Sequence, residues 1–189
     1  SNQVSNQISN QISNQVSNQI SNQIGEAGFI LDQIYNKKHS QNNYNNLLTK
    51  LNSPNPQVQL GQELRNIASS CIDISDGLAS DLSHILNKSH VSANLYENKI
   101  PISDLLKQIP HKQALEYILH GGDDYQLCFT VPKDKNHQIK LIEKKLNQKL
   151  LNIGEIVPIN TTNNIPKLYV INNNKNKTLI TKNGYKHFK

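Results

Sequence analysis

Two short stretches of the chain hold carboxylates at spacings suited to cation and phosphate chemistry. The first is Asp73-Ile-Ser-Asp76-Gly-Leu-Ala-Ser-Asp81. Side chains alternate along an extended strand, so Asp73 and Ser75 share one side of it. Asp76 falls where a helix cap belongs, and Gly77 lets the chain turn tightly. Two carboxylates and a hydroxyl at one open edge are hard oxygen donors. Mg²⁺ takes one or two such carboxylates and keeps waters for phosphate to replace. The adjoining helix N-terminus adds amide donors for a phosphate oxygen. An ordinary cap at Ser75 or Asp76, with Asp73 as a strand-end acid, accounts for the same letters. Against that reading, Asp73 sits between Ile72 and Ile74, where an acid is costly without a partner.

The second stretch is His120-Gly-Gly-Asp123-Asp124-Tyr125, a helix stop feeding a strand. Two glycines allow close approach of backbone to a ligand, and adjacent acids on an extended chain point to different sides. A Gly-Gly-Asp turn with no chemistry fits equally well. Both turns lie beside expected strand ends, where open sheets place ligands. Their convergence would make a metal–phosphate cleft. Gly-x-x-x-x-Gly-Lys-Ser/Thr and Gly-x-Gly-x-x-Gly are both absent from the sequence, so P-loop and dinucleotide readings have no anchor. The seven His show no zinc spacing, and Ser75 has no evident His base, which argues against a covalent hydrolase. No residue is singled out as catalytic.

These turns need elements to hold them. Apolar spacing predicts helices over about residues 25–35, 43–51, 58–69, 78–88, 113–119 and 134–148, with a short one between Pro101 and Pro110. Strands are expected over about 71–74, 91–96, 125–131, 150–157 and 168–172. The alternation implies an α/β (α+β) fold, helices packed on a mixed or mostly antiparallel sheet. Residues 1–24 are six copies of Ser-Asn-Gln-Val or Ser-Asn-Gln-Ile. One β-branched residue in four matches neither a strand nor a helix, since four residues turn about 400° on a helix. This segment is expected to be a low-complexity tail, with the folded domain running over 25–189; a distorted helix is the rival reading.

Composition narrows the class. The net charge is +6, yet Arg65 is the sole arginine among 20 basic residues. Nucleic-acid readers favour the planar guanidinium and stacking aromatics, so no nucleic-acid partner is expected. No stretch reaches the roughly 20 apolar residues of a membrane helix. Cys71 and Cys128 stand in apolar runs and read as buried reduced thiols, which places the chain in the cytoplasm.

Three motifs together resemble one family. Cys71-Ile-Asp-Ile-Ser-Asp-Gly-Leu-Ala-Ser-Asp-Leu82, Leu119-His-Gly-Gly-Asp-Asp-Tyr-Gln-Leu-Cys-Phe-Thr-Val131 and Gly184-Tyr-Lys-His-Phe188 resemble the C-terminal half of bacterial thiamine-monophosphate kinase. The resemblance implies the aminoimidazole ribonucleotide synthetase-like fold and phosphorylation of thiamine monophosphate to thiamine diphosphate, with ATP as co-substrate and Mg²⁺. It implies that Asp73 and Asp76 hold Mg²⁺, that Ser75 contacts ATP, and that Asp123 and Tyr185 contact the thiamine phosphate. The family usually carries Glu where this chain has Asp123. Its N-terminal half carries most metal ligands, much of the nucleotide site and the main surface of its homodimer. Here the Ser-Asn-Gln repeats stand where that half would join. Phosphoryl transfer depends on positioning and charge neutralisation, so this half is not expected to supply it unaided. The alternative reading is a non-catalytic remnant or a subunit that needs a separate N-terminal half.

Overall fold

Strand pairing brings distant parts of the chain into one seven-stranded sheet. The coordinates are a computed structural model that describes residues 16–20, 24–35, 51–160 and 163–181. The strands are β1 (Val16–Ile20), β2 (Ser70–Asp73), β3 (Ser92–Tyr96), β4 (Leu127–Pro132), β5 (Leu151–Val157), β6 (Leu168–Ile171) and β7 (Lys177–Ile180). Their order is β2-β4-β1-β5-β3-β6-β7. Among the described strands only β3 and β6 run parallel; the other neighbours are antiparallel. The expected mixed, mostly antiparallel sheet is therefore present.

The helices described are α1 (Glu26–Tyr35), α2 (Val58–Glu63), α3 (Leu78–Ser89), α4 (His111–His120) and α5 (Asn136–Leu146). In α3, Leu78, Leu82, Ile85 and Leu86 recur at helical spacing and are buried. The helix ends at His90, which adopts the left-handed conformation and donates its N–H to Leu86 O. Helix α2 stops earlier than its apolar spacing predicts, since residues beyond Glu63 continue as turns. The helix expected over 43–51 falls outside the described residues apart from its last position.

Alternation along β4 divides the core in two. Cys128 belongs to a cluster with Phe29 of α1, Leu82 of α3 and Ile118 of α4. Phe129 and Val131 face the other way, against Leu60 of α2 and Ile139 and Ile142 of α5. The result is a sheet with helices on both faces of β4.

Two expectations need correction. Residues 16–20, expected to lie in the tail, form β1, hydrogen-bonded to β4 on one side and β5 on the other. The tetrapeptide has little strand preference of its own. A slot that pairs backbone on both sides and buries Ile20 completely supplies what the local sequence lacks. The fold therefore begins before Gly25. Cys71, expected to be buried, is exposed, because β2 is the edge strand. Cys128 is buried as expected, and both thiols are free. In the β2–β4 register Cys71 pairs with Phe129 and Ile72 with Cys128, which puts the two thiols on opposite faces.

Candidate functional site

The site forms where β2 and β4 leave the sheet. Beyond the paired strands the ladder continues through the loops: Ile74 N–H donates to Gln126 O at 2.8 Å and Tyr125 N–H to Ile74 O at 2.9 Å. Asp123 N–H then donates to Ser75 O at 2.9 Å. The two acidic turns are thus joined backbone to backbone. Gly122 makes this approach possible, for a Cβ there would run into the Ser75 carbonyl oxygen. Gly77 is constrained as well: its φ is +103°, and an added Cβ would lie 2.9 Å from the His120 carbonyl carbon.

Within the first turn Asp81 does the bracing. Its side chain is 3% exposed, and Oδ2 accepts the N–H of Ser75 at 2.9 Å and of Asp76 at 3.0 Å. Desolvation pushes its pKa up, partly opposed by those two amides. Asp76 does not cap α3; Gly77 occupies that position without a side-chain bond. Asp76 and Asp73 are both exposed, and neither carboxylate accepts a hydrogen bond among the described residues. The apolar neighbours of Asp73 imposed no burial on it, because edge position and alternation turn it outward while Ile74 goes to the core.

In the second turn Asp123 and Tyr125 both adopt left-handed backbone, at φ 63° and 49°. For an aromatic residue this is a true outlier, of the kind that surrounding contacts must hold in place. Tyr125 donates its hydroxyl to Asp123 Oδ1 at 3.2 Å. Asp124 turns the opposite way, toward the start of α1. Its Oδ2 accepts Gly25 N–H at 2.6 Å and its Oδ1 accepts Ala27 N–H at 3.5 Å. Desolvation raises the Asp124 pKa to about 7, against the lowering effect of these amides, with Glu26 and Asp123 nearby adding to the rise. A cavity of about 230 Å³ opens beside these acids, with Glu26, Ala27, Pro54, Asp123, Asp124 and Gln126 in its wall.

Four of the five residues implied as ligands can be placed. Asp73, Ser75 and Asp76 lie on one turn and Asp123 on the turn joined to it. Tyr185 lies outside the described residues. Asp81, Asp124 and Glu26 carry no role that the sequence alone shows. Asp81 and Asp124 stood inside the quoted motifs, but nothing in the letters showed that one holds the loop amides and the other reaches α1. Among the described residues no group of three or more His, Cys, Asp or Glu comes together as a cation cage. Asp73, at the end of β2, and Asp76, three positions on, are each exposed to solvent. No helix among the described residues is long and apolar enough to cross a membrane.

Residues 37–162 match the family model for AIR synthase related protein, C-terminal domain. The chain belongs to that family. It is similar to thiamine-monophosphate kinase of Buchnera aphidicola subsp. Acyrthosiphon pisum (strain APS), with 39% identity over 165 residues, covering 86% of this chain and 49% of the relative. Thiamine-monophosphate kinase from Stenotrophomonas maltophilia K279a superposes with a TM-score of 0.72 at 30% identity, over 82% of this chain and 49% of that one. AaThiL complexed with AMPPCP and TMP gives a TM-score of 0.67 at 25% identity, over 92% of this chain and 52% of that one. The motif-based resemblance and the α/β fold class are both borne out. The chain spans about half the length of the curated relatives it matches.

Proposed function

We propose that this chain is a thiamine-monophosphate kinase domain, the C-terminal half of that enzyme, which phosphorylates thiamine monophosphate to thiamine diphosphate with ATP. The observation that carries the reading is the backbone join between the Ser75 and Asp123 turns, which presents both sets of family motif acids at one sheet edge. A related protein complexed with AMPPCP and TMP supports the choice of substrates.

The exposed carboxylates of Asp73 and Asp76 fit Mg²⁺ shared with phosphate oxygens, since that ion is held by one or two carboxylates and its own waters. Bound there, it would supply neutralisation of phosphate charge. Ser75 would contact ATP through its hydroxyl. Asp123 and Tyr185 would contact the thiamine phosphate. In the transfer, an oxygen of the substrate phosphate forms a bond to the terminal phosphorus of ATP. The bond from that phosphorus to the ADP oxygen breaks in line, and ADP leaves with the electron pair. No side chain becomes covalently attached. The role of the residues described is to position and orient, with the Asp81 brace keeping the Ser75–Asp76 backbone fixed.

A second reading is favoured by the lack of a group of three or more acidic, His or Cys ligands among the described residues and by the half-length match to relatives: the domain folds and binds but turns over only with the remaining half of the family architecture, in the same or a separate polypeptide. A coupled assay with ATP, Mg²⁺ and thiamine monophosphate separates the two. Thiamine diphosphate formed by this chain alone supports the first. Formation only after an N-terminal half is added supports the second. No formation in either mixture overturns the kinase reading.

A further inference from the structure

We propose that the slot between β4 and β5 is a binding site for the Ser-Asn-Gln-Val/Ile tetrapeptide itself, filled interchangeably by several copies of the repeat from the same chain. The resident occupant, Val16-Ser-Asn-Gln-Ile20, pairs Val16 with Pro132 and Ile20 with Cys128 on the β4 side. On the other side Ser17 pairs with Glu155 and Ile20 with Leu151. These ladder bonds are backbone bonds and do not read side chains. One requirement that the slot places on sequence is an aliphatic residue at its buried end, where Ile20 is fully enclosed.

The repeat meets that requirement more than once. Val4-Ser-Asn-Gln-Ile8 is the same pentapeptide, while Ile8–Ile12 and Ile12–Val16 differ from it only by Val/Ile exchange. A slip of one repeat is four residues, an even number, so every side chain keeps its face of the sheet. The pairing irregularity between Asn18 and Gln19 also recurs, because Asn-Gln stands at the same place in each copy. The downstream end is fixed: Ile24 is fully buried, and Asp124 holds the Gly25 N–H. Slippage therefore only lengthens the connection into Ile24, from residues 21–23 to 17–23, 13–23 or 9–23. Closure entropy grows only with the logarithm of such a length. Ordinary sequences have one register for a central strand; this one has four near-equivalent candidates.

Proline substitution in the full chain tests the idea by thermal unfolding. Asn18→Pro removes a ladder donor from the middle of the resident strand and disables that register. The expected result is a cooperative transition shifted down by a few degrees, as another copy takes the slot. The fourfold variant Asn6→Pro, Asn10→Pro, Asn14→Pro, Asn18→Pro leaves no intact copy and should lose the transition or shift it several times further. Equal losses in the single and fourfold variants overturn the proposal, as does a fourfold variant that melts like the parent. A midpoint for Asn18→Pro that rises with protein concentration also overturns it, since the slot would then be filled from a second copy.

Discussion

The N–H of Asp123 donates to the carbonyl oxygen of Ser75 at 2.9 Å, across 48 positions of sequence (123 − 75). Because the bond is between main chains, substitution of the acidic side chains leaves it intact. Site chemistry and loop architecture can therefore be perturbed separately.

Asp73→Ala probes the chemistry. The side chain is exposed and unpartnered among the described residues, so stability should stay within about 0.5 kcal/mol of the parent. Binding of Mg-nucleotide should weaken at least several-fold. Paired urea denaturation and nucleotide titration check both; loss of folding would make Asp73 a structural acid instead.

Gly122→Ala probes the architecture. Its Cβ would overlap the Ser75 carbonyl, and relief requires the two turns to separate. Overpacking of this kind costs about 1–3 kcal/mol. Denaturation should show that loss, together with weaker nucleotide binding although no carboxylate has changed.

Asp81→Ala leaves the amides of Ser75 and Asp76 without their acceptor inside the fold. The expected cost is about 1–3 kcal/mol. Asp81→Asn retains one oxygen acceptor and should recover part of that stability. If Asn and Ala behave alike, the brace is not the source of the effect.

Asp124 gives a pH signature. Its pKa is about 7 in the folded chain against 3.8 for the free group, so folding takes up a proton between these values. The unfolded chain then binds fewer protons than the folded one, and stability falls as pH rises from about 4 to about 7, by up to about 4 kcal/mol. Above pH 7 the contribution is constant. The raised pKa of Asp81 acts in the same direction, so the diagnostic is the difference from the parent. Asp124→Asn should flatten this decline in denaturation curves taken across the range. An unchanged slope would remove Asp124 as its origin.

Much of this was legible in the letters. The apolar stripe of α3 and the alternation of β4 are strong periodic signals, and both elements fall within a residue or two of their expected bounds. The meeting of the two acidic turns was readable because each abuts a strand end. What could not be read depends on tertiary neighbours. Val16–Ile20 has no strand period and becomes β1 only because β4 and β5 flank it. Strand β7, Lys177-Thr-Leu-Ile180, is likewise short and mostly exposed, and is defined by its pairing with β6. The exposure of Asp73 and Cys71 follows from the edge position of β2, a property of sheet order that no local window contains.

The central place of β1 also orders events on the ribosome. Its two neighbours are encoded more than a hundred positions later, so Val16–Ile20 has no strand partner until residues 127–132 have emerged and is flanked on both sides only after residues 151–157. The middle of the sheet closes among the last steps, a non-local pairing that sets the pace of maturation. Polypeptides caught before that point leave one flank of β1 open, and chaperone capture should be greatest there.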